Sequence, residues 1–338
     1  MSRMKALVTG ASGFIGRHLV STLARRGHDV VCLVRPTSDT RPFEGLPVRL
    51  AVGDLGDPSS LASAVADRDR VFHLAGIVQA VDEQAFETVN VGGTRNLVEA
   101  CLSSAPGLER FVFVSSIAAA GPNAPGKARR EDDAPRPISA YGRSKLAAEG
   151  VVLEAGARMP VTILRPPNVL GPGSRELAGA IRLLRKRIMP EVGDELPRTS
   201  LIDVDDLVEA MLLAAEHPGS VGQTYFVTDG RAYAWPEITA ALATELGIRG
   251  FTIRVPFGAQ VLAARLAEAV SRLSGRSPIL TREIVRAGHD HFWIYDGSKI
   301  ARELGFRPKH GLCDSVRRTV MSVREKSGAG GTGERASV

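Results

Sequence analysis

The sequence predicts an α/β chain: a doubly wound parallel sheet followed by a smaller mixed C-terminal part. Three observations predict it. Short, almost continuous apolar runs alternate with helical patterns through residues 1–170, as expected of strands buried on both faces of a parallel sheet. A glycine-rich turn joins the first run to the first helix. After Gly171-Pro172-Gly173 the regular alternation stops.

In order, Ala6–Thr9 reads as a strand and Phe14–Arg26 as a helix with Ile15, Leu19, Val20 and Leu23 on its apolar face. Val30–Val34, Val48–Ala51, Val71–Leu74, Phe111–Ser115 and Val161–Arg165 read as further strands. Helical stretches lie near Leu61–Ala66, Thr94–Leu102 and Leu146–Ala157. Beyond residue 170, Tyr225–Thr228 and Phe251–Val255 read as strands, and Val204–Glu216, Pro236–Leu246 and Ser298–Leu304 as helices. Phe257–Leu273 is Ala/Leu-rich, interrupted by Arg265, Glu268 and Arg272, and is read as a helix buried against its neighbours rather than one lying on a membrane. Residues 1–170 are expected to form one domain and 171–325 a second, substrate-binding part, some of whose elements return to the sheet. The Gly/Ser-rich stretch 326–338 is expected to be a disordered tail.

The chain has 338 residues, enough for a large core and a smaller partner. Its 43 Lys and Arg against 37 Asp and Glu give a net charge of +6. The tightest basic cluster, Arg182, Arg185, Lys186 and Arg187, reads as a solvated helix face, so no nucleic-acid partner is expected. Cys32, Cys101 and Cys313 show no metal-ligand spacing and read as free thiols in a reducing compartment. With Met1 running straight into a strand pattern and no apolar run of about 18 residues, a cytoplasmic protein without a transmembrane segment is expected.

The turn Gly10-Ala11-Ser12-Gly13-Phe14-Ile15-Gly16 follows the first strand and opens the first helix. Gly10 suits the tight turn, Gly13 the close approach of a pyrophosphate, and Gly16 the packing of helix on strand. The helix N-terminus favours the anion. This is the dinucleotide-binding turn of the Rossmann pattern, and Ser12, Phe14 and Ile15 belong to the same candidate site. The second strand ends in Val34-Arg35 where an NAD site usually places an acidic residue. Arg35 suits a 2′-phosphate, so NADP(H) is the expected cofactor and NAD(H) the alternative. Asp54-Leu55 is placed to meet the adenine edge, although Asp54 suits helix capping nearly as well. Leu74-Ala75-Gly76 has the small residues that admit a ribose and phosphates closely, or that make a plain turn.

Tyr141 and Lys145, four apart at the start of a helix, share one face. A lysine cation favours phenolate and eases proton exchange with an alcohol or carbonyl. Ser116, 25 residues earlier at a strand end, adds a hydroxyl for the reacting oxygen.

With these residues, together with His73-Leu74-Ala75-Gly76, Asn90-Val91-Gly92-Gly93-Thr94, Leu164–Val169, Ile202–Leu207 and Leu304–Pro308, the chain resembles the extended short-chain dehydrogenase/reductases, the NAD-dependent epimerase/dehydratase family, over about residues 4 to 310. The resemblance implies that Tyr141 is the acid/base, that Lys145 assists it and binds the nicotinamide ribose, and that Ser116 polarises the substrate oxygen. It also implies that Pro166, Asn168 and Val169 flank the nicotinamide, and that Asn90 lies near the cofactor. Val34-Arg35-Pro36 looks like the dihydroflavonol reductases, and the stretch from Pro256 through Trp293, with Arg282, is similar to the 3β-hydroxysteroid dehydrogenases. The expected activity is therefore NADP(H)-dependent interconversion of a secondary alcohol and a ketone, or reduction of an aldehyde, on an apolar small molecule such as a sterol or polyphenol. The alternatives are a nucleotide-sugar epimerase or dehydratase using NAD and, further off, a non-catalytic dinucleotide sensor. Arg198-Thr199-Ser200-Leu201 departs from the family's arginine-aspartate-aromatic run, which weighs against the nucleotide-sugar. Relatives of this type often dimerise through two helices, and Thr94–Leu102 and Leu146–Val152 permit a homodimer.

Overall fold

The computed structural model describes residues 3–124, 126–174, 177, 180–181, 184–185, 188–191, 198–248, 251–274, 281–282, 285 and 292–329. Its strands are β1 (Lys5–Thr9), β2 (Asp29–Val34), β3 (Val48–Val52), β4 (Arg70–His73), β5 (Arg110–Val114), β6 (Val161–Arg165), β7 (Asn168–Leu170), β8 (Ile188–Glu191), β9 (Arg198–Asp203), β10 (Gln223–Phe226), β11 (Ala232–Ala234) and β12 (Phe251–Arg254). Seven of them form one sheet in the order β10-β6-β5-β4-β1-β2-β3, and every pairing in it is parallel.

The apolar runs explain this sheet. All of β4, β5 and β6 is buried, because helices cover both faces. On one face Leu19, Val20 and Leu23 of the helix Phe14–Arg25 pack with Leu207, Val208 and Met211 of the helix Val204–Glu216. On the other, the helices Pro58–Val65, Gly93–Ser104 and Ala140–Ala155 contribute Leu61, Leu97 and Val152. The strand order reverses between β1 and β4. Such a switch point opens a crevice at the carboxyl ends of the strands, where ligands of this architecture bind.

From the second half of the chain, β10 joins the main sheet beside β6. The others build a three-stranded sheet, β11-β9-β7, and a pair, β12-β8. Leu170, Leu201 and Tyr233 of the three-stranded sheet share a core with Ile238 and Leu242 of the helix Trp235–Leu246 and with Val316 and Val320 of the helix Leu312–Ala329. The sequence patterns did not indicate β7, β9 or β11. β7 and β11 are three residues each, and β9 mixes polar and apolar positions, so only pairing reveals them.

Two expectations are corrected. The helix Phe257–Ser274 is present, but its outer face is not buried: Leu262, Leu266 and Val270 are 58%, 60% and 63% exposed. Apolar content along a helix cannot say whether a neighbour covers it. The stretch expected to be a tail from residue 326 begins inside a helix, which continues to Ala329. Val316 and Val320 anchor that helix on its neighbours, and propagation beyond an anchored turn costs little. Residues 330–338 lie outside the described residues, as do Arg182, Lys186 and Arg187 of the basic cluster; Arg185 is exposed. Cys32 and Cys101 are buried free thiols and Cys313 is an exposed one. No described helix is long and apolar enough to cross a membrane.

Candidate active site

The glycine turn sits at the switch point. Gly10 has φ +67°, and a Cβ there would lie 2.7 Å from the Ala75 nitrogen and 2.8 Å from the Leu74 carbonyl carbon. At Gly16 a Cβ would collide with the Gly10 carbonyl oxygen. The loop is thus compressed between β4 and its own helix, as a close backbone approach to a ligand requires. The helix Phe14–Arg25 begins after Gly13 with no side-chain cap, so its first amides are open to an anion. This cradle fits a dinucleotide pyrophosphate. Ser12, Phe14 and Ile15 are half-buried beside it.

At the other end of the crevice, the helix Ala140–Ala155 carries Tyr141 and Lys145. Ser139 starts the helix, its Oγ accepting from the Gly142 amide at 2.9 Å. A Cβ at Gly142 would strike the carbonyl of Ala118, so glycine lets this helix press against the turn Ile117–Ala120 that follows Ser116. Ser116 caps that turn, its Oγ accepting from the Ala118 amide at 3.1 Å. Tyr141 is half-buried, with its ring 6.1 Å from that of Phe86. Lys145 is buried, donates to the Val114 carbonyl at 2.9 Å and lies 4.2 Å from the Phe113 ring centre. Burial pushes its ammonium down to about 8, while Glu149 opposes that shift.

Beneath Lys145, one helical turn on, Glu149 is buried in an ion pair with Arg165, whose Nε and Nη2 donate at 2.9 and 2.6 Å. Ser115 also donates to this carboxylate, at 2.5 Å. A buried carboxylate needs such complete pairing to be tolerated. Nothing in the sequence singled out Glu149, although its place four residues after Lys145 puts it on the same helical face.

A second support lies under the glycine turn. His73 is fully buried; its Nδ1 is 2.7 Å from Thr9 Oγ1 and its Nε2 2.9 Å from Thr94 Oγ1. Thr94 donates its own proton to the Asn90 carbonyl at 2.6 Å, so Nε2 must donate to Thr94 and Nδ1 accept from Thr9. Thr9 in turn accepts from the Ala75 amide at 3.2 Å. This neutral imidazole is held down at about 3, first by burial and then by the charge of Lys145. The Asn90 side chain continues the network. It pairs with both backbone groups of Ile77, at 2.8 and 3.0 Å, and donates to Ser144 Oγ at 2.9 Å. Asn90 lies in a π-helical segment, Glu87–Gly92, a distortion common at functional sites.

The remaining candidates sit as follows. Pro166 is buried and its carbonyl accepts from the Ile117 amide at 3.0 Å, joining β6 to the Ser116 turn. Asn168 is exposed and Val169 half-buried, both in β7. Leu74 and Ala75 are half-buried at the end of β4, and Gly76 is exposed, facing the Asn90 side chain. Leu55 packs on Gly93, and its carbonyl accepts from Asn96 at 2.7 Å. Asp54 is exposed and accepts from the Gly56 amide at 2.7 Å. The cap of the following helix is Asp57 instead. Arg35 is exposed at the end of β2, and its amide donates to Ser38 Oγ at 3.0 Å.

Sequence reasoning missed Phe86, Ser144, Glu149 and Thr9, and also His18. Two contacts link His18, on the glycine-turn helix, to the second half of the chain: the Asp205 carboxylate at 3.0 Å and the Pro172 carbonyl at 2.9 Å.

Known proteins match this arrangement. The model of the NAD dependent epimerase/dehydratase family matches residues 6–227. The chain belongs to this family. It is therefore an NAD(P)-dependent enzyme of the extended short-chain dehydrogenase/reductase type, an oxidoreductase. It is 31% identical over 320 residues to the ceramide reductase of Caulobacter vibrioides, covering 93% of this chain and 92% of that protein. It is also 31% identical over 315 residues to a ketoreductase of Stigmatella aurantiaca named for a farnesyl-bearing dihydroquinoline oxide, with 90% and 92% covered. Among solved structures of this fold, MoeE5 in complex with UDP-glucuronic acid and NAD superposes with a TM-score of 0.76 at 29% identity, covering 95% of this chain and 99% of that one.

Proposed function

We propose that this extended short-chain reductase uses NADP(H) to interconvert a ketone and a secondary alcohol on an apolar small molecule. The observation that carries the reading is the apolar loop beside the catalytic helix. Val78 and Val81, in the segment that Asn90 ties to Ser144, are 68% and 53% exposed, and Val89 next to Asn90 is exposed too. Such exposure of branched apolar side chains beside this network suits a hydrophobic substrate. The names of the ceramide reductase and the farnesyl-dihydroquinoline ketoreductase lean the same way.

For the cofactor, Arg35 is exposed at the end of β2, and a guanidinium at this position suits a 2′-phosphate. The acidic residue that follows in sequence, Asp39, is held by Arg41 through bonds of 2.8 and 2.9 Å, so its charge is countered. When bound, the nicotinamide supplies or accepts the hydride. The chain's own residues do the rest. Ser116 orients the substrate oxygen, Tyr141 passes a proton to or from it, and Lys145 holds positive charge beside the phenol, which favours its ionised form. Glu149 and Arg165 keep that lysine's surroundings fixed.

The test is a parallel titration with NADPH and NADH, followed by turnover of a panel of apolar ketones. Tighter NADPH binding that Arg35→Asp abolishes, with NADPH oxidised by a member of the panel, is the expected result. Equal affinities for the two cofactors would refute the NADP assignment. The likeness to MoeE5 with its sugar nucleotide favours a second reading, nucleotide-sugar epimerisation. NAD that stays bound through purification, with no oxidation of NADPH by any ketone, would select it.

A further inference from the structure

We propose that Tyr295 is the positioning residue by which the second half of the chain aims the Ser116 hydroxyl. The proposal rests on the role given to Ser116 above and adds what holds it. Ser116 Oγ accepts from the Ala118 amide at 3.1 Å, so its direction follows the turn Ile117–Ala120 that it caps. A helix of four residues is too short to hold its own shape. Its neighbours must hold it. From the first half of the chain, the Pro166 carbonyl accepts from the Ile117 amide at 3.0 Å, and the Arg136 amide donates to the Ala120 carbonyl at 2.7 Å. From the second half comes Tyr295, whose Oη donates to the Gly121 carbonyl at 2.7 Å. Gly121 closes the turn with φ +81°, and a Cβ there would collide with the Arg136 carbonyl oxygen.

Tyr295 is itself fixed from several sides. Its amide donates to Ser200 Oγ in β9 at 3.0 Å, and its ring centre lies 4.7 Å from that of Phe226 in β10. The backbone around it pairs with the chain that leaves the Ser116 turn. The Asn123 amide donates to the Phe292 carbonyl and the Arg129 amide to the Ile294 carbonyl, both at 2.9 Å. Residues 292–296 are thus stitched between β9 and the residues that follow Ser116. The phenol is buried, and burial pushes its ionisation upward, so it stays a donor. Core packing alone would need the ring and not the hydroxyl. The hydroxyl is what reaches the turn, at a residue five positions after Ser116. A group that hydrogen-bonds a reacting oxygen must be held to a fraction of an ångström, and a bond at the far end of its own turn supplies that restraint.

The experiment is a double-mutant cycle of Tyr295→Phe and Ser116→Ala in the full-length protein. Turnover is read as reduction of an aryl ketone, 4-nitroacetophenone, by NADPH or NADH. Amide hydrogen exchange of residues 116–121, which needs no substrate, is measured alongside. Tyr295→Phe keeps the ring and removes only the Oη bond. It is expected to lower kcat about tenfold, with KM and dinucleotide affinity within about twofold of the parent's, and to speed exchange in the turn. In the Ser116→Ala background the same substitution should lower kcat by less than about twofold more, because its effect passes through that hydroxyl. Equal losses in the two backgrounds, or unchanged exchange at 116–121, overturn this proposal alone. So does loss of dinucleotide binding in Tyr295→Phe, which would make the residue a general support of the fold. Turnover in Ser116→Ala equal to the parent's would refute the role of Ser116 first, and this proposal with it.

Discussion

At the β5 end of the crevice, side chains brace one another. Phe86 meets Tyr141, Asn90 reaches Ser144, Glu83 pairs with Arg143 at 2.9 Å, and Glu149 with Arg165 lies below Lys145. At the β2 end, Arg35 and Asp54 are exposed and their nearest bonds are local turns within a few residues. The first arrangement suits a group that must be held to a fraction of an ångström for proton transfer. The second suits a group that only reads which dinucleotide has arrived. Substitutions at the braced end should therefore cost turnover and stability, and those at the open end should change affinity alone.

The largest effect is expected from Tyr141→Phe, which should lower turnover about 10²–10⁴-fold, the usual worth of a positioned acid or base, while leaving dinucleotide binding in place. Comparable turnover in the variant would remove Tyr141 from the chemistry. Next comes Glu149→Ala. It strands a buried guanidinium and should cost about 3–5 kcal/mol, read as a lower denaturation midpoint. A change under about 1 kcal/mol would mean that Arg165 finds water or another partner.

The braced end also has a pH signature. In the unfolded chain a histidine takes up a proton below about 6.5, whereas folded His73 resists until about 3. Unfolding therefore binds a proton between those values, and stability must fall as pH drops from about 6.5 towards 3. His73→Gln lacks this term. It should be less stable than the parent at neutral pH by about 1–3 kcal/mol for the disturbed buried bonds, and calorimetry should show the gap narrowing with acid. Parallel curves would mean that His73 titrates normally in the fold.

The smallest effect is expected at the open end. Asp54→Ala should change stability by no more than about 0.5 kcal/mol, with at most a modest loss of dinucleotide affinity. A large loss of stability there would end the contrast between the two regions.

Particular residues show what could be read in advance. The glycine turn and the four-residue spacing of Tyr141 and Lys145 are local patterns; the turn follows the continuous apolar run of β1, and the pair lies at the start of the helix Ala140–Ala155. The helix Val204–Glu216 matches its expected bounds, because its apolar period is strong and Asp203 caps it. Glu149, Thr9 and His18 carried no such signal, since each gains its role from partners 16 to 187 residues away. The helix Phe257–Ser274 shows the converse: its apolar composition was legible, but the exposure of Leu262, Leu266 and Val270 was not.

The sequence by itself determined the alternation of strand and helix, the glycine turn and the helical face shared by Tyr141 and Lys145, because each depends on residues close along the chain. Only the tertiary structure decided that Glu149 is locked to Arg165, that His73 bridges Thr9 and Thr94, and that an aliphatic helix face stays open. Burial and pairing of polar groups depend on which distant elements meet, and local periodicity carries no record of that.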